Sequence, residues 1–240
     1  MPRLRFPSRI VPGRLIQRYK RFLAEVALAD GSIVTAHCAN PGAMLGLTDP
    51  GSTVWLSMSP DPKRKLAYNW ELVEVDFGDG TQCVGINTSH PNRLAELAIS
   101  AGTLPELAGY PTLRREVRYG VNSRIDLLLE APERAPCYVE VKNVHLCRRA
   151  GQAEFPDCVT ARGAKHLGEL ANVVRDGGRA VMLYVIQMRA DSFSLAADID
   201  PAYARAFDAA RAAGVEALAY SCDVSPDGLG LARAVPFVLG

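Results

Sequence analysis

The sequence predicts a mixed α+β protein in which a small, five-stranded β-barrel is followed by a mixed sheet with helices packed on it. Residues 15–84 consist almost entirely of strand and turn patterns, with no helical periodicity. After residue 113 the pattern changes to three strands, a helix and a further strand. A chain of 240 residues is longer than a typical single domain. We therefore expect two domains, residues 1–86 and 87–240.

The predicted barrel strands alternate apolar and polar residues and are joined by turn signals. They cover residues 14–28, 32–38, 53–58, 66–77 and 81–87. Asp30-Gly31 and Gly78-Asp79-Gly80 predict hairpins, because glycine adopts the left-handed backbone that such turns need. About five strands without a helix are typical of a small barrel, and the OB type is the best-known barrel of this kind that binds nucleic acid.

The second predicted domain contains three helices and six strands. The helices are predicted at residues 91–100, 159–175 and 201–213, and the strands at 113–119, 124–129, 138–146, 180–188, 215–222 and 229–239. Gly177-Gly178 ends the second helix where a C-terminal glycine belongs. The segment 225–228, Ser-Pro-Asp-Gly, predicts the hairpin between the last two strands.

The composition is that of an ordinary soluble globular protein, with 48% hydrophobic and 22% charged residues. The longest apolar segment, residues 180–188, is too short to span a bilayer, and the arginine-rich N-terminus lacks a secretory cleavage pattern. We therefore expect a cytoplasmic protein that does not associate with a membrane. The six cysteines show no paired spacing, which predicts reduced thiols rather than disulfides or a zinc site.

The net charge of +1 hides a strong asymmetry. Residues 1–65 contain ten Lys or Arg against four acidic residues, and no acidic residue precedes Glu25. A segment whose charges are mostly positive attracts polyanions, of which nucleic acid is the commonest in a cytoplasm. A solvated tail and strand face would have the same composition, so both interpretations stay open.

Two carboxylates and a lysine are predicted on neighbouring strands of the second domain. In residues 138–144 the alternation places Glu140 and Lys142 on one face, and a return of the chain through a polar loop brings Asp126 beside Glu140. Glu116, on the preceding strand, is a further candidate. Such residues suit Mg²⁺ or Mn²⁺, with an ammonium group to meet developing negative charge. The alternative is a solvated strand face with cross-strand charge pairs.

Basic residues supply candidate phosphate contacts in both domains. They are Arg18, Lys20, Arg21, Lys63, Arg64 and Lys65 in the barrel, and Arg162 and Lys165 in the first turns of the long helix. Tyr19, Trp55, Tyr68 and Trp70 are candidate stacking surfaces for bases. For the helix the alternative is an i,i+4 ion pair of Lys165 with Glu169 on a solvated face.

Several segments together resemble the sugar fermentation stimulation protein A family. These segments are residues 15–23 (LIQRYKRFL), 37–44 (HCANPGAM), 118–120 with 123–126 (RYG and SRID), 140–142 (EVK) and 155–166 (FPD, then Thr160, Arg162, Gly163, Lys165 and His166). The resemblance covers essentially the whole chain. It implies an N-terminal OB-fold domain and a domain similar to the restriction-endonuclease-like, PD-(D/E)xK nuclease core.

The resemblance also carries functional implications. Members of the family are described as binding DNA without marked sequence preference, with a suggested regulatory link to the use of sugars such as maltose. Asp126, Glu140 and Lys142 match the nuclease motif residue by residue. Ile125 stands where the motif has its proline, which leaves the metal-binding carboxylate intact.

The sequence therefore predicts a DNA-binding protein, acting on duplex or single strands, with a metal-dependent phosphodiesterase site. Asp126 and Glu140 would hold the metal, Lys142 would act on the attacking water or the phosphorane, and Glu116 would assist. The first alternative is a non-catalytic DNA-binding regulator of sugar metabolism. The second is an enzyme that processes RNA with the same site.

Overall fold

Five strands near the N-terminus close into a barrel. They are β1 (Ile10–Tyr19), β2 (Leu23–Leu28), β3 (Ile33–Cys38), β4 (Thr53–Met58) and β5 (Tyr68–Asp76). In the structure, a computed structural model that describes residues 2–120 and 123–238, these strands pair in the order β3-β2-β1-β4-β5. Parallel pairing of β3 with β5 closes the cylinder. The predicted OB-type barrel is confirmed. The prediction that residues 81–87 form one of its strands is wrong, because β6 (Thr81–Gly85) pairs with β5 outside the closed cylinder.

The single strand predicted at residues 14–28 is wrong, because the chain reverses within it. Lys20 and Arg21 both have a left-handed backbone, with φ of 48° and 62°, and they join β1 to β2 as an antiparallel pair. Neither residue type is typical of that conformation, so the sequence carries no turn signal here. The predicted turn at Asp30-Gly31 is confirmed, since Leu28 N donates to Ser32 O.

The rest of the chain forms a mixed sheet with three helices among the described residues. The helices are α1 (His90–Ser100), α2 (Ala161–Arg175) and α3 (Pro201–Ala212), and a short 3-10 turn covers Pro105–Leu107. The sheet strands are β7 (Thr112–Tyr119), β8 (Ser123–Ala131), β9 (Arg134–Val144), β12 (Arg179–Ile186), β14 (Glu216–Ser225) and β15 (Gly228–Ala234). Their order is β15-β14-β12-β9-β8-β7, with β14, β12 and β9 parallel. The predicted mixed α/β architecture is thereby confirmed.

A second, three-stranded sheet was not predicted. It consists of β10 (Leu146–Arg149), β11 (Gln152–Phe155) and β13 (Ser192–Leu195). Each strand has only four residues, which is too short for an alternating pattern to stand out. The last predicted strand, 229–239, ends at Ala234 in the structure, and its final residue, Leu239, lies outside the described residues.

The two faces of the mixed sheet pack against different partners. On one face, Met182 and Tyr184 of β12 pack with α2 and α3, in an apolar cluster that continues into the barrel interior at Trp70. On the other face, Val181 and Leu183 pack with α1. Alternate residues of a strand point to opposite faces, so the almost continuous apolar run of β12 serves both cores.

Backbone and side-chain hydrogen bonds join the barrel to the mixed sheet. Gly85 N donates to Gln187 O at 2.8 Å, and Met44 N donates to Asp157 Oδ2 at 3.0 Å. The domain division between residues 86 and 87 stays a prediction.

Two expectations about the whole chain can be compared with the structure. The six cysteines are free thiols, and four of them are buried, as predicted. Of the three α-helices in the described part of the chain, none combines the length and the apolar character that crossing a membrane requires.

Candidate functional site

Three carboxylates lie level with one another on adjacent strands β7, β8 and β9. The pairs Arg115–Leu127 and Val117–Ile125 flank Glu116 and set it opposite Asp126. Between β8 and β9, Leu127 pairs with Val139, which sets Asp126 opposite Glu140. Glu116 has a left-handed backbone, with φ of 52°, and its side chain is exposed. The predicted neighbourhood of Asp126 and Glu140 is therefore present, with Glu116 at the edge of the row.

Asp126 is held in place by donors from two other elements. Its Oδ2 accepts from Val141 N at 2.8 Å, and its Oδ1 accepts from Asn92 Nδ2, in the first turn of α1, at 2.7 Å. Burial, followed by the charge of Glu140, raises the pKa of Asp126 to about 6. Near neutral pH most of this carboxylate is ionised, although burial and the charge of Glu140 disfavour the ionised form. A bound cation would relieve that cost, and it binds to the ionised form.

Glu140 is buried and points into the same site. Its Oε1 accepts from Lys142 Nζ at 2.6 Å and from Nδ1 of His166 on α2. Burial alone raises the pKa of Glu140, but the hydrogen bond from His166 and the charge of Lys142 lower it overall. Its other oxygen, Oε2, is buried and has no hydrogen-bond partner among the described residues. One oxygen of an ionised carboxylate is thus left for a ligand.

His166 links the site to helix α2. Arg162 Nε donates to His166 Nε2 at 3.3 Å, so that the proton of a neutral His166 ring is on Nδ1 and is donated to Glu140. Helix α2 begins at Ala161 because Thr160 Oγ1 accepts from Gly163 N at 3.1 Å. Because of this cap, the helix begins at Ala161, two residues later than the predicted start at residue 159.

A cleft of about 540 Å³ opens over these residues. Four basic side chains line it together with the three carboxylates: Arg124, Lys142, Arg162 and Lys165. Lys165 also pairs with Glu169 at 3.6 Å, so the predicted i,i+4 pair and the predicted position at the cleft both occur. Basic side chains beside carboxylates suit a phosphodiester, because the basic groups would pair with its charge and the carboxylates could hold a cation.

Sequence reasoning missed Asn92 as a partner of Asp126. The two residues lie 34 positions apart, and Asn92 is positioned only by packing of α1 under the sheet. The sequence points to His166 as part of the family resemblance, and its bond to the buried Glu140 was not anticipated. Neither pairing has a local sequence signal, because each joins separate elements.

The barrel residues predicted to bind nucleic acid lie in two turns and, for the half-buried Arg18, on β1. Lys20 and Arg21 are exposed in the β1–β2 turn, and Lys63, Arg64 and Lys65 are exposed between β4 and β5. The guanidinium of Arg18 instead donates to four carbonyl oxygens, those of Arg21, Asn40, Gly42 and Ala43. Arg18 therefore organises the neighbouring loop, and binding by all six residues stays a prediction.

The candidate stacking residues differ in exposure. Trp70 is completely buried, and its Nε1 donates to Leu72 O, so the prediction that it offers a stacking surface is wrong. Tyr19, Trp55 and Tyr68 are each partly exposed. Trp70 fills the barrel because its strand position points inward, and a tryptophan with a satisfied N–H is a stable core residue.

The fold and this cleft define a two-part protein, an OB-type barrel joined to a mixed α/β domain with a site of carboxylates and lysine. The chain belongs to the sugar fermentation stimulation protein family. The model of the Sugar fermentation stimulation protein RE domain matches residues 89–228, and that of the SfsA N-terminal OB domain matches residues 16–86.

Relatives and a solved structure match over nearly their whole length. The sugar fermentation stimulation protein homolog of Methylobacterium nodulans is 59% identical over 235 residues, which are 98% of this chain and 99% of the relative. That of Azorhizobium caulinodans is 58% identical over 236 residues, 98% of this chain and 100% of the relative. The structure of Pyrococcus furiosus SfsA in complex with Ca²⁺ has a TM-score of 0.88 and 26% identity, and the match covers 99% of each chain.

Proposed function

We propose that this protein binds DNA largely without regard to sequence and hydrolyses its phosphodiester bonds in the cleft, with Mg²⁺ or Mn²⁺. The observation that carries the proposal is the convergence of Asp126, Glu140 and Lys142 in a cleft whose other walls are basic. A buried carboxylate with one unpartnered oxygen is costly in a purely structural role. The cytoplasmic location predicted from the sequence belongs to the same proposal.

The residues of the cleft fit a hard cation. Asp126 and Glu140 offer carboxylate oxygens, which Mg²⁺ prefers, and the Pyrococcus furiosus relative was solved in complex with Ca²⁺, a cation of the same preference. Mg²⁺ is usually bound by one or two carboxylates, and waters and substrate phosphate complete its coordination. Within the described ranges, no group of three or more His, Cys, Asp or Glu side chains is arranged to hold a metal ion, so only Asp126 and Glu140 are assigned to it.

Each residue of the cleft has a role in this proposal. Asp126 and Glu140 hold the metal, which when bound activates a water and polarises a phosphoryl oxygen. Lys142 is a positive charge two residues from Glu140 and stabilises negative charge that develops on the phosphate. Arg124, Arg162 and Lys165 bind neighbouring phosphates along the cleft. Glu116 lies at the exposed edge and assists as a further carboxylate.

The barrel supplies non-specific affinity in this proposal. The exposed groups Lys20-Arg21 and Lys63-Arg64-Lys65 are on turns, where they meet phosphates without reading bases. Contacts of this kind give affinity that depends on salt rather than on sequence.

The test is a cleavage assay on supercoiled plasmid, linear duplex, single-stranded DNA and RNA, with Mg²⁺ or Mn²⁺ and with EDTA. Glu140→Gln keeps the shape of the side chain and removes the charge, so we expect cutting to fall by at least about a hundredfold. Glu130→Gln is the matched control, because Glu130 is a surface carboxylate on β8 paired with Arg114. Cutting that persists in EDTA or in Glu140→Gln would overturn the proposal.

A non-catalytic DNA-binding regulator is the second candidate function, with the link to sugar metabolism that the family name states. The observation that favours it is the ion pair of Lys142 with Glu140 at 2.6 Å, which neutralises the carboxylate within the protein. This candidate predicts intact substrates with every metal, together with DNA affinity that survives Glu140→Gln and falls with salt. RNA as the preferred substrate would appear directly in the same panel.

A further inference from the structure

A second cavity, of about 380 Å³, lies beside the cleft. The side chains used below are Arg118, Tyr119, Tyr138, Glu169 and Asp176, all of which line it. Nothing in the proposed hydrolysis uses this cavity. Its lining combines two tyrosine rings with charged groups, whereas the described lining of the cleft contains no Phe, Tyr or Trp.

The cavity and the cleft lie on the same face of β9. Tyr138 precedes Glu140 by two residues, so both side chains point the same way, about 7 Å apart along the strand. On α2, Lys165 lines the cleft, and Glu169 lines the cavity one helical turn later. The distance along β9 is within the span of a single nucleotide, so one ligand can occupy both spaces.

Tyr119 lines the cavity next to Tyr138. Burial, followed by the charges of Glu140, Glu169 and Asp126, raises the pKa of Tyr119 far above its usual range. Its hydroxyl therefore stays protonated at any physiological pH and is a hydrogen-bond donor.

Two buried polar atoms of the cavity have no hydrogen-bond partner among residues 2–120 and 123–238. They are the hydroxyl of Tyr119 and Oε2 of Glu169. The other oxygen of Glu169 is occupied by Lys165 at 3.6 Å. A donor and an acceptor that are buried without partners each cost free energy, unless a ligand satisfies both.

The aromatic lining indicates what kind of ligand fits. The rings of Tyr119 and Tyr138 lie with centroids 5.6 Å apart and are inclined at 43°, so one ring does not cover the other face to face. A flat heterocycle can stack on the exposed part of Tyr138 while its edge meets Tyr119 and Glu169. Every nucleobase has an N–H donor next to an acceptor on its pairing edge.

We propose that this cavity takes one unpaired nucleobase of the strand whose phosphate lies in the cleft. The substrate is then a single strand, or a duplex end or flap whose bases are free. The inference rests on the proposed function, because it assumes that the cleft holds a phosphodiester. A second phosphate is disfavoured in the cavity, since Glu169 and Asp176 line it and Arg118 is the one Lys or Arg among the described lining residues. Identity of the base is not selected, because all bases offer the same donor and acceptor pair.

The test measures binding in EDTA, so that it does not depend on hydrolysis. The probes are an oligodeoxynucleotide of about twelve residues, the same length of blunt duplex, and an abasic phosphodiester chain of that length. We expect the single strand to bind at least about tenfold more tightly than either of the other probes. Equal affinity for the single strand and the abasic chain would overturn the inference.

Variants then locate the effect. Tyr138→Leu removes the stacking ring, and Tyr119→Phe removes only a hydroxyl and is expected to fold normally. We expect about a tenfold loss with Tyr138→Leu and a few-fold loss with Tyr119→Phe, both for the single strand and neither for the abasic chain. Tyr110→Leu is the matched control, because Tyr110 packs with the cluster on the opposite face of the sheet.

The outcomes separate the two proposals. If none of the probes binds, either in EDTA or with Ca²⁺ added, the nucleic-acid function itself fails. If single strand, duplex and abasic chain bind equally, the proposed function survives and the base site is wrong. If Tyr138→Leu does not fold, Tyr119→Phe decides: affinity for the single strand equal to that of the wild type would reject the cavity as the base site.

Discussion

At the residue scale, the site depends on two neighbouring carboxylates whose pKa values move in opposite directions. Burial, with the charge of Glu140, raises the pKa of Asp126 to about 6. Burial also raises the pKa of Glu140, but the hydrogen bond from His166 and the charge of Lys142 outweigh burial and lower the pKa overall. One carboxylate is therefore always ionised near neutrality, and the other titrates close to it. A cation that binds both must displace a proton from Asp126 at acidic pH.

The first prediction concerns the pH dependence of metal binding. Affinity for Mn²⁺, measured by calorimetric titration, is expected to rise as the pH increases from about 5 to about 7.5, because Asp126 loses its proton near pH 6. In Asp126→Asn both the affinity and its pH dependence are expected to be largely lost. A wild-type affinity that is flat across this range would contradict the assigned role of Asp126.

At the element scale, helix α2 carries one wall of the site. Its first two turns bring Arg162, Lys165 and His166 to the cleft, and its N-terminus is fixed twice at Thr160. Thr160 Oγ1 accepts from Gly163 N, and Thr160 N donates to Asp200 Oδ2 at 2.7 Å. Asp200 is in turn the N-cap of α3. The two helices are thereby joined at the end that faces the site.

The second prediction tests this cap. Thr160→Ala is expected to lower the free energy of unfolding in urea by about 1 kcal/mol, because Gly163 N loses its acceptor. The control is Thr112→Ala, an exposed position on the edge strand β7, with a change of less than about 0.5 kcal/mol. Equal stabilities of wild type and Thr160→Ala would show that water replaces the cap fully.

At the scale of the whole molecule, Asp157 joins the barrel to the second part of the chain. Its Oδ2 accepts from Met44 N at 3.0 Å and pairs with His145 Nε2 at 3.3 Å. Although burial raises the pKa of Asp157, these hydrogen bonds and the charge of His145 hold it well below its usual range. Gly42 packs directly on this carboxylate, so close that a side chain at position 42 would collide with it.

The third prediction follows from the lowered pKa of Asp157. A carboxyl whose folded pKa is depressed adds stability above its unfolded pKa, near 4, and loses it as the pH falls further. Asp157→Asn is therefore expected to cost about 1–3 kcal/mol at pH 7, and the difference from wild type should shrink towards pH 3. Urea unfolding at both pH values measures this. Asp49→Asn, an exposed position, is the control, and a difference that grows on acidification would contradict the prediction.

The fourth prediction concerns the charge of the barrel. Replacing Lys63, Arg64 and Lys65 by alanine is expected to weaken DNA binding and to reduce the slope of log K against log salt by about 2–3, because each phosphate contact contributes about 0.7–0.9. Fluorescence anisotropy at several salt concentrations measures the slope. Arg205→Ala, exposed on α3, is the control. An unchanged slope in the triple variant would show that DNA does not contact residues 63–65.

Much of the fold was predictable because its signals are local. Alternation with a period of two identified β9, apolar runs of strand length identified β8 and β12, and glycine-containing turns marked the hairpins at residues 30–31 and 225–228. The turn at Lys20-Arg21 was missed because no glycine or asparagine marks it. The short strands of the second sheet were missed because four residues are too few for a pattern.

The sequence by itself determined which strands carry Asp126, Glu140 and Lys142 and which face each side chain takes. Those properties follow from the period of a strand and from its order along the chain. Only the tertiary structure decided that Asn92 and His166 hold the carboxylates, that Arg18 serves a loop, and that Trp70 lies inside the barrel. The physical reason is that these contacts join elements far apart in sequence, and their positions depend on how the barrel, the sheet and the helices pack together.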